Sequence, residues 1–226
     1  MTTISVIIPT LGEASKLPIL VQSLKSQGFE EIIVADASDD TATAIAALRA
    51  GAVCLANLAK GRGSQMSAGA QVASCDILFF LHADSALPSN AYAAINSALA
   101  NQDNVAGSFR LSFDSKHPLL AIYAWFGRFN CLIATYGDQG LFLRRTTYEK
   151  IGGFAPIALM EDFEIQQRLR RLGRFVKLQH TITTSARRFM RRGILRQQLL
   201  NVVIVLSFLC KVPSATLARW YEGRSS

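Results

Sequence analysis

Short apolar runs that stop abruptly at a polar residue recur through the first third of the chain, with helix-patterned stretches between them. Ile4-Ser5-Val6-Ile7-Ile8 closes on Pro9-Thr10, Ile32-Ile33-Val34-Ala35 on Asp36, and Ile77-Leu78-Phe79-Phe80-Leu81 on His82-Ala83-Asp84. Such runs fall far short of the ~20 residues that cross a bilayer. They match strands buried on both faces. Between them, Leu17, Leu20, Val21 and Leu24 recur at helical spacing before Gly28, and Asp40–Ala50 and Ser64–Ser74 read as further helices. Val53-Cys54-Leu55 is a third short strand, and Thr10-Leu11-Gly12-Glu13 has the spacing of a capping box. Strands alternating with helices predict an α/β fold, a mainly parallel sheet flanked by helices. Ligands bind such sheets beyond the carboxyl ends of the strands, which singles out Pro9, Thr10, Asp36, His82, Ala83 and Asp84.

The second half is patterned less regularly. Val105–Phe113, Leu141–Leu143 and Arg174–Leu178 read as strands, and Leu119–Ile133 as an apolar, buried helix. Glu161–Leu172 reads as an amphipathic helix with Phe163, Leu169 and Leu172 inward. Half of the residues are hydrophobic and 18% are charged, with no repeat or linker, which suits one packed domain over residues 1–190. Residues 191–226 form a C-terminal helical extension. Its apolar run, Leu199–Cys210, lies beside Arg187, Arg188, Arg191, Arg192 and Arg196. Packing on the core or against a second copy, as in a homodimer, is the favoured reading of that helix. The competing one is an interfacial helix on anionic lipid, a peripheral membrane contact.

Charge is split unevenly: residues 1–115 carry 6 Lys/Arg and 10 Asp/Glu, whereas residues 116–226 carry 18 and 6. A basic half suits nucleic acid, anionic lipid or a phosphorylated ligand. No basic strand interleaved with aromatics is present, so nucleic acid is not an expected partner. The four cysteines are widely separated, without metal-ligand spacing, and Met1-Thr2-Thr3 runs straight into a strand with no basic, apolar leader. Both point to a cytoplasmic setting, reaching at most the inner face of the cell membrane.

Each polar cluster has a chemical and a structural reading. Asp36 can accept from the uracil N–H or ribose hydroxyls of a nucleotide, or cap the next helix. Lys60-Gly61-Arg62-Gly63 can bring backbone close to phosphate at a helix start, or be an ordinary polar loop. His82 and Asp84, two apart in an extended segment, can converge on Mn2+ or Mg2+, or simply end a strand. Glu161-Asp162 can supply a base at a helix start or merely complement the helix dipole. Tyr136-Gly137-Asp138-Gln139-Gly140 can hold an acceptor or turn the chain.

Together, in this order, the motifs resemble the family 2 glycosyltransferases, inverting enzymes with the A-type nucleotide-diphospho-sugar transferase fold. The likeness runs through Val6-Ile7-Ile8-Pro9-Thr10 with Glu13, Asp36-Ala37-Ser38, Lys60-Gly61-Arg62-Gly63 with Gln65 and Ala68-Gly69-Ala70, His82-Ala83-Asp84, and Glu161-Asp162. His82 stands where the family has the first Asp of Asp-x-Asp, and Gly12 where it has Asn. The resemblance implies Asp162, with Glu161 beside it, as catalytic base. It implies Pro9, Thr10, Glu13, Asp36, Lys60 and Ala83 on the nucleotide donor, and Asp84 with His82 on a divalent metal, Mn2+ or Mg2+. Asp138, Gln139, Arg187 and Arg188 are candidates for the acceptor or phosphate. The implied reaction moves a sugar from a nucleotide diphosphate, UDP by family likeness, to a hydroxyl of a small-molecule or lipid-linked acceptor. A narrower similarity, through His-Ala-Asp, Gly-Asp-Gln-Gly and Met-Glu-Asp, is to a bacterial subgroup described as glycosyltransferases of arsenosugar biosynthesis. The alternatives are a sugar-phosphate nucleotidyltransferase and a non-catalytic basic module binding nucleic acid or lipid. The first lacks its Gly-rich loop after the first strand; a dehydrogenase would need Gly-x-Gly-x-x-Gly there.

Overall fold

The computed structural model describes residues 2–223. Its first half runs β1 (Ile4–Thr10), α1 (Leu17–Ser26), β2 (Glu31–Asp36), α2 (Ala42–Arg49), β3 (Val53–Leu55), α3 (Arg62–Val72), β4 (Ile77–Phe80), β5 (Ser85–Ala86) and α4 (Ala91–Ala100). The second half runs β6 (Asn104–Phe113), α5 (Pro118–Phe126), β7 (Leu141–Arg144), α6 (Arg145–Lys150), α7 (Glu161–Leu172), β8 (Arg174–Thr184), α8 (Arg187–Arg192), α9 (Ile194–Leu209) and α10 (Ser214–Glu222). Two 3-10 turns, Leu132–Ala134 and Gly137–Gln139, precede β7. Among the described residues, eight strands form one sheet in the order β3-β2-β1-β4-β7-β6-β8-β5. The sheet is parallel except for β7 and β5, which run against their neighbours.

Alternation along each central strand feeds two cores. Ile4, Val6 and Ile8 of β1 pack with Leu17, Leu20, Val21 and Leu24 of α1 and with Ile95 of α4. Ile7 faces the opposite way, toward Met66 of α3 and Ile165 and Leu169 of α7. Phe79, Phe109 and Phe142 are fully buried in the middle of the sheet, each contributing about 2–3 kcal/mol. On the α3 face, a Cβ at Gly69 would lie 2.5 Å from Cγ2 of Ile7, so glycine is what lets α3 lie directly on β1.

The order of connection reverses at β1, with β2 and β3 on one side and β4 on the other, which marks the gap beyond β1 and β4 as the ligand crevice. The register opens that gap: pairing of β1 with β2 continues to Thr10↔Asp36, whereas pairing with β4 ends at Ile7↔Phe80. Pro9, which has no N–H to donate, falls in the stretch that β4 leaves unpaired.

Four local expectations change. Thr10 to Glu13 is no capping box: α1 starts later, at Leu17, with Pro18 in its first turn, and Glu13 instead ion-pairs with Lys16. Helix α3 begins at Arg62, two residues before the expected start, because Gly61 at φ 149° makes the bend into it. Leu172 lies exposed at the end of α7, where Ile165 and Gln166 are buried instead. The apolar segment expected as one buried helix over 119–133 is the shorter α5 plus a 3-10 turn, and of α5 only Leu120 is buried.

The C-terminal helices touch the rest of the chain sparingly. In α9 only Gln197 and Ile204 are buried, and Phe208 meets Phe163 of α7 edge-on at 5.7 Å. Helix α10 buries Leu217 and is tied to α8 through Tyr221, whose hydroxyl accepts from Arg188 Nη1 at 2.6 Å and whose carbonyl accepts from Arg192 Nη1 at 2.9 Å. Among the described residues, no helix is long and apolar enough to cross a membrane.

Candidate active site

The ends of β1 and β2 form one rigid corner of the crevice. Asp36, buried at the end of β2, accepts from the Thr10 hydroxyl at 2.9 Å, from the Ser38 amide at 3.2 Å and from the Ser38 hydroxyl at 2.6 Å, all on Oδ1. Ser38 Oγ in turn accepts from the Gly12 amide at 2.8 Å. Asp36 therefore does not cap α2; Asp40, accepting from the Ala42 amide at 2.9 Å, serves that helix. From α3, Gln65 Nε2 donates to the carbonyls of Thr10 and Ala35 at 2.8 and 2.7 Å, clasping both strand ends. Lys60 is exposed and pairs with Asp39 at 2.8 Å, and Arg187 reaches Glu13 at 3.2 Å. Both cations thus sit on this same rim, each held by an acid.

His82, Ala83 and Asp84 follow β4 into the crevice. They form a turn, closed by the Ser85 amide donating to the His82 carbonyl at 3.2 Å, rather than the extended segment expected. The alternation argument for both side chains facing one ion therefore does not apply. Ala83 is buried beneath the turn, and His82 Nδ1 lies 3.4 Å from Asp138 Oδ1. Among the described residues, no three His, Cys, Asp or Glu side chains gather to hold a metal by themselves. The donors present, the Asp84 carboxylate and the His82 imidazole with Asp138 beside it, fit a cation that takes most of its shell from diphosphate oxygens and water, as Mg2+ does.

A pair of adjacent acids, Glu161 and Asp162, stands at the start of α7. Met160 precedes them in the left-handed conformation, φ 73° and ψ 21°, which is uncommon for a side chain with a Cβ and sets the entry angle of the helix. Glu161 is 2% exposed and faces Arg62 of α3, whose Nε lies 2.8 Å from Oε1. That contact is an ion pair whose N–H direction misses the oxygen, so Oε1 receives charge but no aligned hydrogen bond. The guanidinium also comes within 3.6 Å of Asp162 Oδ2. A Cβ on Gly137 would fall 2.0 Å from that same oxygen, so the 3-10 turn lies against the carboxylate without covering it. Burial, and then the charge of Glu161, push the Asp162 carboxyl up to about 6, against the opposing pull of Arg62 and His82. The same acids raise the affinity of Arg62 for its proton, keeping it charged.

Asp162 opens onto a cavity of about 130 Å3. Tyr123 of α5, Tyr136, Asp138, Arg188 of α8, Ile204 of α9 and Tyr221 of α10 are among its walls. The Tyr123 and Tyr136 rings stack at 5.0 Å, and burial raises both phenols above their usual range. Of this lining, Arg62 alone comes from the first half of the chain. A larger groove of about 480 Å3, between α1 and α2, is lined by Pro18, Gln22, Lys25, Ala46, Arg49 and Ala50 and has no carboxylate in its lining.

The expected site residues thus fall into a strand-end group (Pro9, Thr10, Asp36, with Glu13 and Lys60 on the rim), a turn (His82, Ala83, Asp84) and a cavity group (Asp138, Glu161, Asp162, Arg188). Gln139 is a correction. It is completely buried, its amide nitrogen donates to the carbonyl of Ala134 at 3.1 Å and its oxygen accepts from Lys177, so its side chain is engaged within the turn and does not line the cavity. Arg62 was missed, and the late placement of the α3 start is what hid it.

Residues 5–198 match the model of glycosyl transferase family 2. No curated protein matches the chain as a relative. Among solved structures, a mannosyltransferase from Pyrobaculum calidifontis in complex with GDP-Man and Mn2+ superposes with a TM-score of 0.70 at 19% identity, over 91% of this chain. This chain spans 62% of that protein's length. Glucosyl-3-phosphoglycerate synthase from Mycobacterium tuberculosis, with Mn2+, UDP and glucosyl-3-phosphoglycerate, gives 0.66 at 18% identity over 94% of this chain and 81% of its own. Mannosyl-3-phosphoglycerate synthase from Rubrobacter xylanophilus gives 0.61 at 17% identity over 89% and 72%. At such identities the likeness establishes the A-type nucleotide-sugar transferase fold. With the family model covering the sheet, the crevice and the Glu161-Asp162 pair, the chain belongs to glycosyl transferase family 2.

Proposed function

We propose that this protein transfers a sugar from a nucleoside diphosphate donor, a UDP-sugar in the first instance, to an acceptor hydroxyl with inversion at the anomeric carbon. The observation that carries this reading is the Asp162 carboxylate, facing a cavity and pushed up to about 6 by burial and Glu161. Such a group is ionised at neutral pH yet basic enough to take a proton from a hydroxyl in the transition state. Asp162 accepts the acceptor's proton, the acceptor oxygen bonds to the anomeric carbon, and the bond from that carbon to the diphosphate breaks on the opposite face. Arg62 and Glu161 hold the base in place from behind. Thr10, Asp36 and Ser38 are the polar groups available to the base and ribose, and Arg188 and the tyrosines receive the acceptor.

Asp84 and His82 would hold Mn2+ or Mg2+, which when bound supplies positive charge to the departing diphosphate. The complexes of the structural neighbours with Mn2+ support this choice. Four unpaired cysteines support a reducing, cytoplasmic setting. The arsenosugar likeness rests on the three sequence signatures alone. The test is a thermal-shift panel of UDP- and GDP-sugars with and without Mn2+, followed by NMR of the product anomer. Stabilisation by a nucleotide sugar and an inverted product are expected; a retained configuration, or full turnover in Asp162→Asn, refutes the mechanism.

A further inference from the structure

Helix α9 is built the wrong way round for a helix of a protein interior. Gln197 is buried, while Leu195 and Leu199 are 70% and 67% exposed and Val202, Val203, Leu206 and Leu209 are exposed with them. Helix α5 also leaves most of its apolar side chains outside, burying only Leu120. Trp125 and Phe126 at its end, and Phe129 just beyond it, pack on one another with ring centroids 5.0 to 6.4 Å apart, yet each is about half exposed. The two helices are neighbours around one cavity, which Tyr123 of α5 and Ile204 and Val205 of α9 both line. Ile133, also in that lining, is 61% exposed. An apolar surface of this kind calls for a partner.

The charge around it says which. Between Glu164 and Glu222 there is no acidic residue, while Arg187, Arg188, Arg191, Arg192, Arg196 and Lys211 border α9. A second copy meeting this face would bring like charges together, which opposes association. Anionic lipid headgroups complement them, and the exposed aromatic rings suit the boundary between headgroup and acyl chain. At 16 residues α9 is about 24 Å long, too short for the ~30 Å hydrocarbon layer, so it can lie on a membrane but not cross it.

We propose that the face formed by α5 and α9 docks on an anionic membrane surface, the apolar side chains entering the interface and the exposed Arg191, Arg196 and Lys211 resting on the headgroups. The docking stands independently of the transferase reading; joined to it, it brings the Asp162 cavity to a lipid surface.

The test is co-sedimentation of the full chain, without donor or acceptor, with vesicles of phosphatidylcholine alone and of phosphatidylcholine mixed equally with phosphatidylglycerol. Binding to the mixed vesicles at least tenfold tighter than to the neutral ones is expected, and it weakens as salt screens the arginines. Leu199→Ser with Leu206→Ser, and separately Arg191→Glu with Arg196→Glu, should each lower binding about tenfold or more. All four positions are exposed, so an unchanged melting temperature shows that each double variant is folded. No binding to the mixed vesicles, binding indifferent to both double variants, or a dimer in sedimentation equilibrium that the leucine variant dissolves, overturns the proposal. A chain that binds vesicles but transfers no sugar leaves the docking intact and removes only the enzymatic reading.

Discussion

Nε of Arg62 lies 2.8 Å from Oε1 of Glu161, and this pair ties the first turn of α3 to the first turn of α7 across 99 positions of sequence. Glu161 and Asp162 are adjacent acids in a largely dehydrated place, and two carboxylates there repel each other unless a cation sits between them. Arg62 is that cation. It leaves Asp162 raised but still ionised at neutral pH.

Replacing Arg62 by Met removes the partner of a buried carboxylate. The expected loss is about 2–3 kcal/mol in urea unfolding, below that of a fully buried pair because the arginine side chain is itself 38% exposed. The acid limb of the pH–rate profile should also move to higher pH, since Asp162 loses its largest stabilising charge. An unmoved limb in a folded Arg62→Met variant contradicts the assigned role.

The pH dependence has opposite signs for activity and stability. Activity needs the ionised base, so kcat/KM should rise tenfold per unit below pH about 6 and level off above it. The Asp162 carboxyl is raised from 3.8, so the folded chain holds its proton to higher pH than the unfolded chain does. This group's contribution to stability is therefore full below pH about 4 and falls as pH rises through about 6. Comparing the melting temperature of the wild type and Asp162→Asn across that window isolates it: the wild type should lose more than the variant.

Gly137→Ala tests the position of the base. The new Cβ would come 2.0 Å from Asp162 Oδ2, so the carboxylate must turn aside. A fall in kcat of about a hundredfold is expected, because a displacement of ~1 Å costs that much. Donor binding, measured by calorimetry, should be unchanged. Wild-type kcat in this variant would mean that the carboxylate has room to spare.

On the nucleotide side, Asp36→Asn should weaken donor binding about tenfold, the loss of one charged hydrogen bond, and leave the acid limb of the pH profile where it was. Calorimetry with UDP-sugar checks the first expectation and initial rates check the second.

The strands of the crevice were legible because β1, β2 and β4 are buried on both faces, so their sequences are continuous apolar runs closed by the polar residues at the crevice. Glu161 and Asp162 were legible as acids at a helix start. Their partner was not, because Gly61 bends the chain into α3 earlier than the pattern of side chains shows. The reversed direction of β7 had no signature either, since a short buried strand reads the same in both directions. Helix α5 misled most plainly. An apolar stretch reports a wish to leave water, and carries no word of whether the refuge is the chain's own interior.

The Gln65 side chain, one amide gripping two carbonyls, makes the early strands a fixed cradle. The walls around Asp162 are contributed almost wholly by residues from 123 onward. Under the proposed function, what is consumed and what is decorated are thereby encoded in separate stretches of the gene, so that an ancestor exchanges its target by remodelling the later stretch while keeping its fuel.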